Sequence, residues 1–197
     1  MHLELVVANI LVVFKHFPQT NLITSVRCVQ VEDIDHLRPW VFFDGSSQEQ
    51  QLTYGGGGCL YISTIHSFQL SIGLGRVFNN FAELMALKLL LLFVVEKNCH
   101  TLQVFGDSLI VIDWDRGFIR CHVIRLLPIL EEVALLQHRF HSISFTHVYR
   151  EWNGVADMLS KEAMQLPFGC WNILEPDPAG SYSYYHCPFN EEHVLFA

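Results

Sequence analysis

The chain has 197 residues, which suits one domain with extensions, and its 51% hydrophobic and 16% charged composition excludes a disordered chain. A formal net charge of -8 argues against a broad basic surface for nucleic acid. Residues 38–165 are nevertheless close to neutral, with ten Lys and Arg against twelve Asp and Glu, 10 − 12 = −2; the rest of the acidity sits in the two ends.

The six Cys form no Cys-x-x-Cys pair and no dense framework, so neither a disulfide scaffold nor a standard zinc module is expected. The apolar stretch Leu3–Phe14 holds Glu4 and Asn9, lacks a basic leader and is too short to span a bilayer. A soluble intracellular protein is expected, with no membrane contact. Residues 1–37 read as an extension without chemistry of its own.

Trp40–Phe43 is a short buried-strand run that stops at Asp44, followed by Gly45 and Ser46. Ser46–Tyr54 reads as a loop. Gly55–Ile62 and Phe68–Leu74 read as an antiparallel hairpin. The run Gly55-Gly56-Gly57-Gly58 lacks the Gly-Lys-Ser/Thr of a phosphate loop and leads into a strand, so no nucleotide site is expected there.

Asn80–Lys97 holds no Pro or Gly and is rich in Leu, Ala, Glu and Met, so it reads as one long helix with Asn79 or Asn80 as its cap. Apolar residues occupy most of its circumference, which predicts burial on more than one side. Glu83 lies one turn in and needs a partner, because an unpaired buried charge is costly.

Thr101–Gly106 repeats the first theme, a strand that stops at an acid, Asp107, before Ser108. A short helix follows to Asp115, carrying Trp114. Val123–His138 reads as an amphipathic helix with Pro128 as a kink. Ser142–Tyr149 reads as a strand. Asn153 is placed to cap a last helix running to about Met164, with Asp157 near its first turn. Pro167, Pro176, Pro178, Gly180 and the Tyr/Ser run 181–185 mark residues 166–197 as an irregular tail. The spacing of His186, Cys187 and His193 fits no usual metal site.

The order strand, strand, strand, helix, strand, helix, helix, strand, helix implies a mixed sheet covered by helices. If the strands ending at Asp44 and Asp107 are parallel neighbours, both acids lie at their carboxyl ends, where sites in open α/β sheets form.

Four segments, in order, carry a resemblance: Phe43-Asp44-Gly45-Ser46, Asn79–Ala86, Phe105-Gly106-Asp107-Ser108 and Asn153–Ser160. Together they resemble a type 1 ribonuclease H domain, and more closely the ribonuclease-H-like domains of plant retroelement-derived proteins. The resemblance runs from about Trp40 to Ala163, within a domain expected over residues 38–165, and implies an α/β fold, a mixed five-stranded sheet with helices on both faces. It implies a monomeric endonuclease cutting the RNA strand of RNA–DNA hybrids by a two-metal-ion mechanism, with Mg²⁺, or Mn²⁺ in its place, and no small-molecule cofactor. Asp44, Glu83, Asp107 and Asp157 would be catalytic and hold the metal; Gly45, Ser46, Asn79, Asn80, Ser108 and Trp114 would contact nucleic acid. Trp114 fits a core place equally well.

The chemistry needs these residue types. Mg²⁺ is a hard ion that takes carboxylate and water oxygens, and a metal pair activates the attacking water and neutralises the leaving oxygen. Two departures predict slower turnover and weaker binding. Arg150 stands in the loop where many ribonucleases H carry a His, and the residues after Asp115 lack a basic protrusion. The alternative reading is a nucleic-acid-binding module with weak or no activity.

Overall fold

A computed structural model describes residues 34–48, 53–75, 79–176 and 182–188 of the chain. Among these residues, seven strands and four α-helices follow one another as β1 (Trp40–Gln48), β2 (Thr53–Ser63), β3 (His66–Gly75), α1 (Asn79–Glu96), β4 (Thr101–Gly106), α2 (Leu109–Asp115), α3 (Leu127–Gln137), β5 (Ser142–His147), α4 (Gly154–Ala163), β6 (Cys170–Pro176) and β7 (Tyr182–Pro188). They build one sheet in the order β5-β4-β1-β2-β3-β6-β7. β1 pairs in parallel with β4, and β4 with β5; the other pairings are antiparallel.

The mixed sheet between helices is as expected, with two more strands than the five anticipated. The extra pair comes from the tail read as irregular. Cys170–Pro176 and Tyr182–Pro188 pair antiparallel within it. Trp171–Leu174 pairs with the outer edge of β3, giving partners to backbone groups that would otherwise stand bare. His66 of β3 and Glu175 of β6 add a polar contact of 2.9 Å across the junction.

Side chains alternate along β1. Val41 and Phe43 enter the main core with Leu84, Leu87 and Leu91 of α1, while Asp44 points to the other face, where it meets Ser160 of α4. α1 is apolar nearly all round because it lies between the sheet and α3, whose Ile129, Val133 and Leu136 join the same core. The exception inside it, Lys88, is 3% exposed and pairs with Glu132 of α3. α1 begins at Asn79, so Asn79 and Asn80 lie within its first turn. Pro128 sits in the first turn of α3 and starts the helix, following a 3-10 turn at Ile124–Leu126; the expected kink is absent because Pro is tolerated there. Among the described residues, no helix is long and apolar enough to cross a membrane.

α2 ends on a partly buried acid. Asp115 Oδ1 accepts from Gln137 Nε2 at 3.3 Å, and its buried Oδ2 has no hydrogen-bond partner among the described residues. Burial pushes this carboxyl from 3.8 up to about 7. A raised acid contributes stability that is fully present below the unfolded pKa and is lost as pH rises through the folded one. The loss for Asp115 therefore falls between about pH 4 and 7 and is on the order of 3–4 kcal/mol. Asp44 and Glu83, described next, add to the same trend. Asp115→Asn is expected to flatten the fall in unfolding free energy between pH 5 and pH 8, measured by urea melts. An unchanged fall would show that this carboxyl is not the titrating group.

Candidate active site

The last parallel pair between β1 and β4 is Phe43 with Gly106, so the next residues, Asp44 and Asp107, emerge side by side from the carboxyl ends of the two central strands. Glu83 reaches them from the second turn of α1. That approach depends on Gly45: a Cβ there would lie 2.2 Å from the Glu83 backbone nitrogen, so only glycine lets the helix come this close. The Gly45 N–H donates to Glu83 Oε2 at 3.0 Å.

Asp44, Glu83 and Asp107 each offer a carboxylate oxygen, and these oxygens lie within 4.8 Å of one another. Asp44 and Glu83 are buried. Burial, with Asp107 and Asp157 nearby, pushes the Asp44 carboxyl up to about 6, against the hydrogen bond from Ser160. Burial, with Asp44 and Asp107 beside it, holds Glu83 well above the ordinary carboxylate range. Among the described residues, no Lys or Arg forms an ion pair with any of the three. Such a set suits a divalent cation: three hard oxygen donors converge, and Asp44 and Glu83 resist ionising beside their neighbours.

Asp157 stands apart. Arg150 reaches its Oδ1 at 2.5 Å and Lys161 its Oδ2 at 2.6 Å. Burial favours its neutral form, but the hydrogen bonds from Lys161 and Arg150 prevail and hold its carboxyl below the usual range. The structure thus brings three of the four expected acids together and keeps the fourth beside them in an ion-pair network. Lys161, one turn after Asp157, is a partner that helical spacing makes legible. Arg150 comes from the 3-10 turn at Arg150–Trp152 before α4.

Two buried residues do more than their sequence positions suggested. Asn153 is at the N-cap of α4, yet it makes no side-chain capping bond. Its Nδ2 donates to the Phe43 carbonyl at 2.8 Å and to Asp107 Oδ1 at 2.9 Å, so one amide ties α4 to both acid-bearing strands. Ser160, inside α4, donates to Asp44 Oδ2 and lies 2.6 Å from Ser46 Oγ. No signal in the sequence alone separates it from an ordinary helix residue.

The other expected contact residues are spread around this centre. Ser108 caps α2 by position, without a side-chain capping bond. Trp114 packs against the main core, the second of its two readings. His147, on β5, places Nε2 3.2 Å from the Asp107 backbone oxygen.

A mixed sheet with three acids gathered at the ends of its central strands is a ribonuclease H-like domain, and the comparisons agree. The crystal structure of RNase H1 from the halophilic archaeon Halobacterium salinarum superposes with a TM-score of 0.59 at 26% identity, covering 64% of this chain and 97% of that one. The N-terminal RNase H domain of Rv2228c from Mycobacterium tuberculosis, solved as a fusion with maltose-binding protein, gives 0.60 at 24%, covering 64% and 93%. LC11-RNase H1, isolated from compost by a metagenomic approach, was solved with an RNA/DNA hybrid and gives 0.55 at 24%, covering 64% and 96%. No curated protein matches the chain. A family described as reverse transcriptase-like matches residues 43–163, more than half of the sequence, and the chain belongs to that family.

Proposed function

We propose that the protein is a metal-dependent endonuclease that hydrolyses the RNA strand of RNA–DNA hybrids. The observation that carries this reading is the convergence of Asp44, Glu83 and Asp107, three acids with no basic partner among the described residues. Mg²⁺, with Mn²⁺ as a substitute, is the cation this donor set fits, and bound there it would supply an activated water and charge neutralisation at the leaving 3′ oxygen.

The chain's own residues set the geometry. Asn153 holds Asp107, the Gly45 N–H holds Glu83, and Ser160 holds Asp44. Asp157 would complete a four-acid site for a metal pair were Arg150 and Lys161, whose side chains are more than half exposed, to release its oxygens. Asn79 and Asn80 open α1 at the same end and would meet the wide minor groove of a hybrid, where amides reach base edges and 2′-hydroxyls. Ser108 and the backbone around Ser46 would contact the phosphates. LC11-RNase H1 was solved with such a hybrid, which supports the same substrate class here.

One observation favours a second reading, a binding module with little or no activity. Both oxygens of Asp157 are already engaged by cations of the chain.

One assay tests both. Labelled RNA–DNA hybrid is incubated with the protein and Mg²⁺ or Mn²⁺, beside duplex RNA, duplex DNA and single-stranded RNA. Only the RNA strand of the hybrid should be cut, leaving 5′-phosphate and 3′-hydroxyl ends. Hybrid that is bound and left intact supports the binding module. Equal cutting of single-stranded RNA overturns the hybrid specificity.

A further inference from the structure

We infer that Ser160 is a positioning residue for Asp44: its buried hydroxyl, backed by Ser46, fixes one carboxylate oxygen and leaves the other to face a divalent cation. The inference rests on the metal site proposed above and concerns how this chain holds its ligand.

Ser160 is 0% exposed. A hydroxyl removed from water must be bonded, or it costs stability. Ser160 Oγ has three oxygen neighbours: Asp44 Oδ2, Ser46 Oγ at 2.6 Å and the Asp157 carbonyl at 2.9 Å. A hydroxyl has one proton to give and two lone pairs to receive. Ser46 is 3.5 Å from Asp44 Oδ2, a long contact, and much nearer Ser160, so its proton goes to Ser160. Ser160 then donates to the ionised Asp44. The two hydroxyls form a short relay ending on one oxygen of the carboxylate. Asp44 also offers an oxygen within 4.8 Å of those of Glu83 and Asp107, and on this inference that role falls to Oδ1.

The placement of Ser160 is not adjustable. Its carbonyl oxygen lies 2.3 Å from where a Cβ of Gly55 would be, and its amide nitrogen 2.3 Å from a Cβ of Gly57. The backbone of α4 therefore rests directly on β2 at this residue. β2 is the strand next to Asp44, which pairs with Gly57. The donor and its acceptor are thus referred to the same two strands.

A purely structural account exists: the carbonyl of Asp157, one turn back, could satisfy the Ser160 hydroxyl alone. In that case Ser160 would matter to packing and not to the cation. The test separates the two accounts in the full chain. Mn²⁺ affinity is measured by the electron paramagnetic resonance of free Mn²⁺, for the parent, Ser160→Ala and Ser160→Thr, beside thermal melts of all three in chelator.

Ser160→Ala is expected to bind Mn²⁺ about tenfold more weakly, the scale on which hydrogen-bond partners of metal ligands act. Its melt in chelator should stay close to the parent's, and Ser160→Thr, which keeps the hydroxyl, should recover most of the affinity. Parental affinity in Ser160→Ala overturns the inference and leaves the metal site standing. A weaker Ser160→Ala that also melts lower in chelator, and is not rescued by Thr, assigns Ser160 to packing and overturns it too. A parent that binds no Mn²⁺ overturns the metal site, and this inference with it.

Discussion

Asp107→Asn protein is expected to fold like the parent and to cut an RNA–DNA hybrid about a thousandfold more slowly. Asn has the shape of Asp and can still accept from Asn153, so the tie between α4 and β4 survives. What disappears is one of three charges gathered within 4.8 Å. A unit charge at ~4 Å is worth about 4 kcal/mol at an effective dielectric near 20. Were that interaction expressed in the transition state, ~4 kcal/mol corresponds to roughly 10³ in rate. The same substitution removes repulsion in the metal-free protein, since Asp107 acts on both Asp44 and Glu83. Its melt in chelator should therefore be no lower than the parent's. Single-turnover cleavage at the parental rate would place the chemistry elsewhere.

Gly57→Ala is expected to do the reverse, leaving every acid in place and destroying the fold that gathers them. Gly57 lies in β2, paired on one side with Asp44 and on the other with Ser71. A Cβ there would lie 2.3 Å from the Ala156 carbonyl and 2.3 Å from the Ser160 amide nitrogen. These are backbone atoms of α4 and cannot turn aside as a side chain could. The helix must leave the sheet by most of an ångström along much of its length. That uncovers core packing and breaks the bonds of Asn153 and Ser160 together. A cost above ~4 kcal/mol is exceptional for one substitution, and it is a large share of a domain's whole 5–15 kcal/mol. The variant should be insoluble or lack a cooperative melt. Gly154→Ala is the control: nothing lies within 4 Å of a Cβ at the first residue of α4, so it should melt like the parent. A Gly57→Ala protein melting within a few degrees of the parent would mean that α4 does not rest on this strand.

The parts legible in sequence were those where one residue type answers one local need. Asp44 and Asp107 each end an apolar run, and a parallel pairing was enough to bring them together. Glu83 was conspicuous as the acid in an apolar helix. The rest depended on partners far along the chain. Asn153 stands where a capping residue is favoured, so its sequence position suggests a cap, while its amide serves Phe43 and Asp107 instead. Ser160 gains its meaning from Asp44, 116 residues away. The pairing of β6 with β7 was hidden because Pro and Gly in the sequence around it read equally as turn or as irregular chain. The glycine run was rejected as a phosphate loop, but its purpose, the close seating of α4, is a property of two surfaces and not of a motif.

That run has a wider consequence. Gly55 and Gly57 admit α4 on one face, while Gly56 and Gly58 meet Ala86 and Leu90 of α1 on the other. One strand is therefore the common datum from which both halves of the site are measured, Glu83 from one side and Asn153, Asp157 and Ser160 from the other. On the α4 side the gauge is main chain against main chain, which does not vary with the choice of core side chains. Exchanges of one aliphatic residue for another deep in the core can thus accumulate without detuning the seating of α4, whereas a single methyl group on the face of the strand that α4 covers cannot be absorbed.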